Sequence, residues 1–187
     1  VYSLGFGDGK ESEIKGSYIR KKVDITVTQD DVPIAGIGVK FVMQNYSQNS
    51  NNYFENMLGE TANIRCNNIP YFQIFIIPDR MPYYDNKGVL KNWETFSLHN
   101  AKKYFVLSRD NVELMAHTPV KTLLFVVHIP DLDETVTNKN NYILGYVSMP
   151  NLLISESETV YGQFSSAVIY NDYEDFIEKV AYRILSE

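Results

Sequence analysis

The chain has 187 residues, a length that suits one domain and can bury a core without disulfides or structural metal. Seventeen Lys and Arg against 23 Asp and Glu give a formal net charge of -6, which taken whole argues against a nucleic-acid protein, whose footprint is usually basic. A hydrophobic content of 44% with 13% aromatics excludes a disordered chain, and the longest apolar run, Leu123 to Val127, is strand-sized rather than membrane-spanning.

Val1 to Gly16 is glycine-rich and charged and reads as a loop or short helix. In Lys22 to Thr28, Val23, Ile25 and Val27 alternate with Asp24, Thr26 and Thr28, which predicts a half-buried strand. Turn residues from Gln29 to Pro33 lead into a second strand, Ile34 to Val42, with Gly36 and Gly38, so the two form a hairpin. The polar run NYSQNSNN ends in candidate caps Ser50 and Asn51. A helix is predicted over about Asn52 to Ile64, with Tyr53, Phe54, Met57, Leu58, Thr61 and Ile64 on one stripe. Tyr71 to Ile77 reads as a buried strand stopped by Pro78, and Pro82 and Asp85 to Gly88 as a loop. Glu94 to Arg109 reads as a second helix, Lys121 to Ile129 as a strand, Tyr142 to Met149 as a candidate strand, and Tyr173 to Leu185 as an amphipathic helix. The order predicts one α/β domain of α+β character: a central mixed sheet flanked by helices, starting with a β-hairpin.

If Thr28 stands opposite Ile34, then Asp24 falls opposite Gly38, and Lys40 is its diagonal neighbour on the same face. A carboxylate and an ammonium converging on a sheet can bind a divalent metal and polarise a phosphate or a water. The same two residues also make an ordinary cross-strand ion pair, worth ~1 kcal/mol or less.

An acid on one strand, a strand ending in x-x-Lys and then a helix resembles the PD-(D/E)xK nuclease superfamily. The segment KFVMQNYSQNSNNYFENMLGETANIR, Lys40 to Arg65, is similar to a group of type II restriction endonucleases, and the resemblance spans roughly residues 11–80. It implies a restriction-endonuclease-like fold with a catalytic core over about 11–130 and an acidic C-terminal extension over 131–187. It further implies hydrolysis of double-stranded DNA by a prokaryotic, cytoplasmic homodimer, dependent on Mg²⁺ with Mn²⁺ as substitute and with no membrane partner. The single cysteine, Cys66, cannot form an internal disulfide and fits a reducing compartment.

Carried over by position, Asp24 matches the first metal-binding acid, and Lys40 matches the lysine that contacts the scissile phosphate or the attacking water. Val23 stands at the name-giving proline. Gly38 stands where the second acid belongs and offers no side chain to a metal. Some members of the superfamily place that acid on the following helix, where this chain has Glu55 and Glu60. Glu60 lies at roughly 80° from the centre of the apolar stripe and Glu55 at roughly 140°. Geometry favours Glu60 and chain spacing favours Glu55, so both stand as candidates. The glycine admits three readings: room for a carboxylate from the helix, a bulge or bend in a central strand, or a decayed site that binds DNA without cutting it. A glutamate upstream of the first strand, Glu13, is a further metal candidate.

Gln44, Asn45, Gln48, Asn49, Asn51 and Asn52 form an amide cluster suited to phosphates and adenine edges, or to helix capping. Arg65, on the helix flank opposite Glu60, is placed to reach a phosphate or to neutralise the helix C-terminus. His99, His117 and His128 lack metal-ligand spacing, and His128, in an apolar strand, reads as a core residue. Residues 1–129 carry 14 basic and 13 acidic side chains, whereas residues 130–187 carry 3 and 10. The acidity therefore belongs to the C-terminal extension, which is expected to face away from DNA or to form a subunit contact. Arg20, Lys21 and Lys22 lie beside Asp24, and Lys102 and Lys103 on the second helix add further cations. The rival readings are a DNA-binding protein that has lost its metal site and a repair or recombination nuclease.

Overall fold

The computed structural model describes residues 12–42, 46–130, 137–148, 154–159 and 161–186, and of Ser47 and Gln48 the backbone alone. In chain order the elements are β1 (Ser12–Lys15), β2 (Arg20–Val23), β3 (Ile25–Gln29), β4 (Val32–Phe41), α1 (Tyr46–Arg65), β5 (Tyr71–Pro78), β6 (Arg80–Tyr84), β7 (Leu90–Thr95), α2 (Leu98–Ser108), β8 (Thr122–His128), α3 (Lys139–Val147), β9 (Ser155–Glu156), β10 (Val168–Tyr170) and α4 (Tyr173–Leu185).

The central sheet runs β10-β8-β5-β4-β3, with β9 added along β8. The β4–β5, β5–β8 and β8–β10 pairs are parallel, and β3 closes one edge antiparallel to β4, so the sheet is mixed and opens with a hairpin as the sequence predicts. Strands β5 and β8 are apolar along their length because both of their faces are covered. On one face Phe75, Ile77, Leu124 and Val126 pack with Met57 of α1 and with Tyr104 and Leu107 of α2. On the other, Phe72, Ile74 and Leu123 pack against Phe176 and Val180 of α4. Each such side chain, fully buried, is worth about 1.5–3 kcal/mol. None of the described helices is long and apolar enough to cross a membrane.

Several elements depart from the sequence reading, among them Pro82, expected in a loop and found in β6. Of the first segment, Ser12–Lys15 forms β1, which pairs with β2, and residues 1–11 lie outside the described residues; the expected strand Lys22–Thr28 breaks at Asp24 into β2 and β3. Helix α1 begins at Tyr46, not Asn52, because Tyr46 and Ser50 are buried and extend the apolar stripe into the polar run. The Tyr46 hydroxyl donates to the Pro78 carbonyl and its ring meets Phe96 edge-on, which ties down the helix start. The expected helix Glu94–Arg109 divides into β7 and α2 at Ser97, whose N–H donates to Asn100 Oδ1. Of the candidate strand Tyr142 to Met149, residues 142–147 lie in helix α3, and Met149 lies outside the described residues; Asn138 caps the helix through its side chain and the Tyr142 and Tyr146 rings are in contact one turn apart.

Within the expected C-terminal extension, β10 pairs with β8, and Phe176 and Val180 of α4 pack on the sheet. The acidic helix α4 sits on the sheet face opposite α1.

The β3–β4 hairpin turns through Asp30 and Asp31, both left-handed with φ of 49° and 61°. Its bulge between Val27 and Thr28 sets Thr28 opposite Pro33, not Ile34. Proline has no N–H for the ladder, and the bulge accommodates it. Beyond the bulge the register is Val27 with Ala35 and Ile25 with Ile37, which leads Asp24 toward Gly38 as expected.

Candidate functional site

β4 and β5 pair in register with Gly36 beside Tyr71, Gly38 beside Gln73 and Lys40 beside Phe75, all facing α1. Chain direction then brings Glu60 to the same place: α1 starts after β4 and returns along the sheet, so its fourth turn lies over Gly38 and Lys40. The sequence break at Asp24 frees that residue from the ladder. Its Oδ2 accepts a 2.6 Å hydrogen bond from the Val39 N–H, which fixes the carboxylate between Gly38 and Lys40.

Glu60 is the centre of the arrangement. Lys21 Nζ lies 2.7 Å from its Oε1 and Lys40 Nζ 3.4 Å from its Oε2, and the carboxylate is only 13% exposed. The Tyr71 hydroxyl donates to Glu60 Oε2 at 3.3 Å. Burial pushes the Tyr71 phenol well above its ordinary range, and the negative charges of Glu60 and Asp24 push it the same way. Tyr71 is therefore a hydrogen-bond donor across the physiological range, and both carboxylates act on its hydroxyl.

The absence of an acid at Gly38 has a steric cause. A Cβ there would overlap the Tyr71 hydroxyl and stand 2.8 Å from Gln73 Oε1. Gln73 is fully buried. Its Nε2 donates to the Gly38 carbonyl at 2.9 Å and the Ile74 carbonyl at 2.8 Å. Its Oε1 has no hydrogen-bond partner among the described residues. A buried acceptor left so costs about 1–3 kcal/mol.

Not all the sequence candidates gather here. Glu55 is exposed, lies roughly 140° round the helix from Glu60, and acts on Lys103 of α2. Glu13 lies on a strand, not a helix. It pairs with Lys22 and points away from the side where Ile14 packs on Tyr71, so it is outside the site. Arg65 is committed elsewhere: its guanidinium donates to the carbonyls of Val112, Met115 and Thr118 at 2.5–2.8 Å and ties the end of α1 to the segment before β8. Asn52 is exposed, Asn51 Oδ1 accepts from Lys103 Nζ, and Asn49 lines a cavity of about 390 Å³ with Phe41 and Tyr53. Asn52 and Glu60 are about 12 Å apart along the helix, so the described amides Asn51 and Asn52 lie away from Glu60. Gln44, Asn45 and the Gln48 side chain lie outside the described residues. His128 is not a core residue: its side chain is 47% exposed and 3.3 Å from Asp79.

Three participants were not read from the sequence as site residues. In the sequence Lys21 is one member of a basic run. Gln73 is the single polar residue in YFQIFII, which was a usable signal, and Tyr71 stands two residues before it on the same face.

Asp24 and Glu60 are hard oxygen donors on a partly exposed rim, a donor type suited to Mg²⁺ or Mn²⁺. Among the described residues no group of three or more His, Cys, Asp or Glu is placed to hold a metal. The Gln73 oxygen beside Gly38 is an unpartnered buried acceptor next to the Tyr71 hydroxyl. Comparison with protein-family models, with curated proteins and with solved structures finds no match for this chain.

Proposed function

We propose that this chain is a metal-dependent endonuclease of double-stranded DNA, of restriction type. The observation that carries the proposal is the convergence of Asp24, Lys40 and Glu60 around Gly38, from a strand break, a strand and a helix. Asp24 and Glu60 would hold Mg²⁺, or Mn²⁺ in its place. When bound, the ion acidifies a water and offsets charge developing on the phosphorus oxygens. Asp24 is aimed by the Val39 N–H. Lys40 orients the phosphate or the water, and with Lys21 it balances the charge of Glu60. Tyr71 holds one Glu60 oxygen in place with a proton that it does not lose. Twofold reading of a short palindrome calls for a homodimer, and the single unpaired cysteine fits a cytoplasmic setting.

One observation favours a second reading, a DNA-binding protein whose metal site has decayed: Glu60 is already engaged by two lysines, and Gly38 supplies no acid. A Mg²⁺-dependent digestion of DNA of mixed sequence separates the readings. Discrete fragments support the restriction enzyme, random degradation supports a repair or recombination nuclease, and intact DNA across many sequences sinks the enzyme.

A further inference from the structure

The β1–β2 hairpin has two unlike faces. Its register sets Ile14 opposite Lys21, Lys15 opposite Arg20 and Glu13 opposite Lys22. Strand alternation then assigns the sides. Ile14 and Val23 are buried against Ile64 and Tyr71, and Lys21 on that side reaches Glu60. Lys15, Arg20 and Lys22 share the outer side with Glu13, and all four are exposed. Among the described residues none of the three outer cations is held in an ion pair.

The turn between the strands is fixed at its backbone. Asn63 Oδ1 accepts from the Tyr18 and Ile19 N–H groups at 3.0 and 3.2 Å, and Asn63 Nδ2 donates to the Ile19 carbonyl at 3.0 Å. The Asn63 carbonyl accepts from the Ser17 N–H at 2.8 Å. The side chains of this anchored turn nevertheless face water, Tyr18 being 89% and Ile19 63% exposed. Two large apolar groups held out at the end of a cationic face suit a partner that alternates negative charge with flat apolar surface, as phosphates and bases do. From Ile19 to Asp24 the chain spans at most about 17 Å, well within one helical turn of a duplex, about 34–36 Å.

We infer that the β1–β2 hairpin is a DNA-reading element: Lys15, Arg20 and Lys22 hold backbone phosphates, while Tyr18 and Ile19 enter the major groove and meet base edges. This rests on the DNA reading proposed above and needs no metal. The major groove, about 12 Å wide, admits a two-stranded ribbon, and the minor groove, about 6 Å wide, is too narrow for one. The phosphate contacts set the register, and the apolar pair discriminates through contacts such as the thymine methyl.

The test is fluorescence anisotropy of a labelled duplex, one that the wild-type chain selects from a random pool, titrated with the full chain without divalent metal over about 50 to 200 mM KCl. Arg20→Gln with Lys22→Gln is expected to weaken binding and to lower the salt slope by about 2. Tyr18→Ser with Ile19→Ser is expected to weaken binding by about tenfold with the slope unchanged. Both pairs are exposed and the Asn63 bonds are to backbone, so these variants keep the fold. Lys179→Gln, on α4 across the sheet, is expected to change neither quantity. Equal weakening by Lys179→Gln would show diffuse attraction and overturn the inference. A wild-type dimer that the Tyr18→Ser, Ile19→Ser variant separates in sedimentation, with DNA binding intact, would assign the hairpin to a second copy and overturn it too. DNA binding that survives either double variant overturns the inference and leaves the nuclease reading standing. No DNA binding by the wild type overturns both. Binding through the hairpin with DNA left uncut in Mg²⁺ supports the inference and rejects the nuclease.

Discussion

The Asp24 carboxylate accepts a 2.6 Å hydrogen bond from the Val39 backbone N–H, fifteen residues away in sequence and across the β3–β4 hairpin. The contact places a charge at the one point where β2 and β3 part, with Gly38 and Lys40 on either side of the donor. An amide oxygen in place of the carboxylate can accept the same bond without the charge. Asp24→Asn is therefore expected to lose metal binding and cleavage while costing about 1 kcal/mol or less in urea unfolding, because the residue is exposed. A large stability loss would mean that Asp24 serves the fold first.

Glu60 and Glu55 give opposite expectations. Glu60 is nearly enclosed by Lys21, Lys40 and Tyr71, whereas Glu55 is exposed beside Lys103. Glu60→Gln is expected to lower cleavage by about 10²-fold or more. Glu55→Gln is expected to leave cleavage within about twofold, since it removes a surface charge worth little. Equal effects in the digestion assay would reject the assignment of Glu60 as the migrated acid.

Two glycines should respond to alanine with opposite signs. At Gly38 a Cβ overlaps the Tyr71 hydroxyl and crowds Gln73 Oε1, both on buried residues that cannot swing away. Gly38→Ala is expected to cost about 1–3 kcal/mol by overpacking. At Gly59, inside α1, nothing lies within 4 Å of an added Cβ. Gly59→Ala is expected to stabilise by about 1 kcal/mol through helix propensity. Urea midpoints of the two variants check both signs at once.

Arg65 is expected to matter for stability and not for DNA. Its three carbonyl partners close the segment between α2 and β8 over the end of α1. Arg65→Met is expected to cost about 2 kcal/mol and to leave the salt dependence of DNA binding unchanged, because no phosphate contact is removed. A shallower salt slope in the variant would restore Arg65 to the DNA-contacting set.

Much of this arrangement was legible in the sequence where the signal is local. The alternation in β3, the apolar runs of β5 and β8 and the 3.6-residue stripe of α4 each state which faces will be covered, and these elements stand close to where the pattern puts them. The start of α1 was not legible, because NYSQNSNN carries no apolar periodicity and its helicity comes from tertiary burial of Tyr46 and Ser50. Asp24, Lys40 and Glu60 were nameable because each charge interrupts or borders an apolar pattern. Gln73 was not placed with them, because its role depends on the parallel pairing of β4 with β5. A parallel pair is joined by a long crossover and leaves no local trace of its register.

Lys103 makes the fold's stability depend on pH in a way that a single substitution isolates. Its ammonium donates to Ser50 Oγ at 2.6 Å and Asn51 Oδ1 at 2.8 Å and lies over the Phe54 and Tyr104 rings. Burial there pulls its pKa from the usual 10.5 down to about 8, only partly opposed by Glu55. Below pH 8 the side chain is charged in both states and the full cost of burying the charge is present. Between about pH 8 and 10.5 the folded state sheds the proton while the unfolded chain still holds it, so stability rises with pH. Above about pH 10 the buried tyrosines reverse the slope. Tyr46, Tyr71 and Tyr170 are raised by burial and stay protonated in the fold, whereas the unfolded chain ionises. Wild-type stability is thus expected to climb from pH 8 and fall above 10. Lys103→Met removes this amine, so its climb is expected to shrink to the part that Lys121, also lowered by burial, still supplies, while the alkaline fall remains. Urea midpoints of the two proteins measured across pH 7 to 11 give the difference directly, and parallel curves would show that Lys103 keeps its charge in the fold.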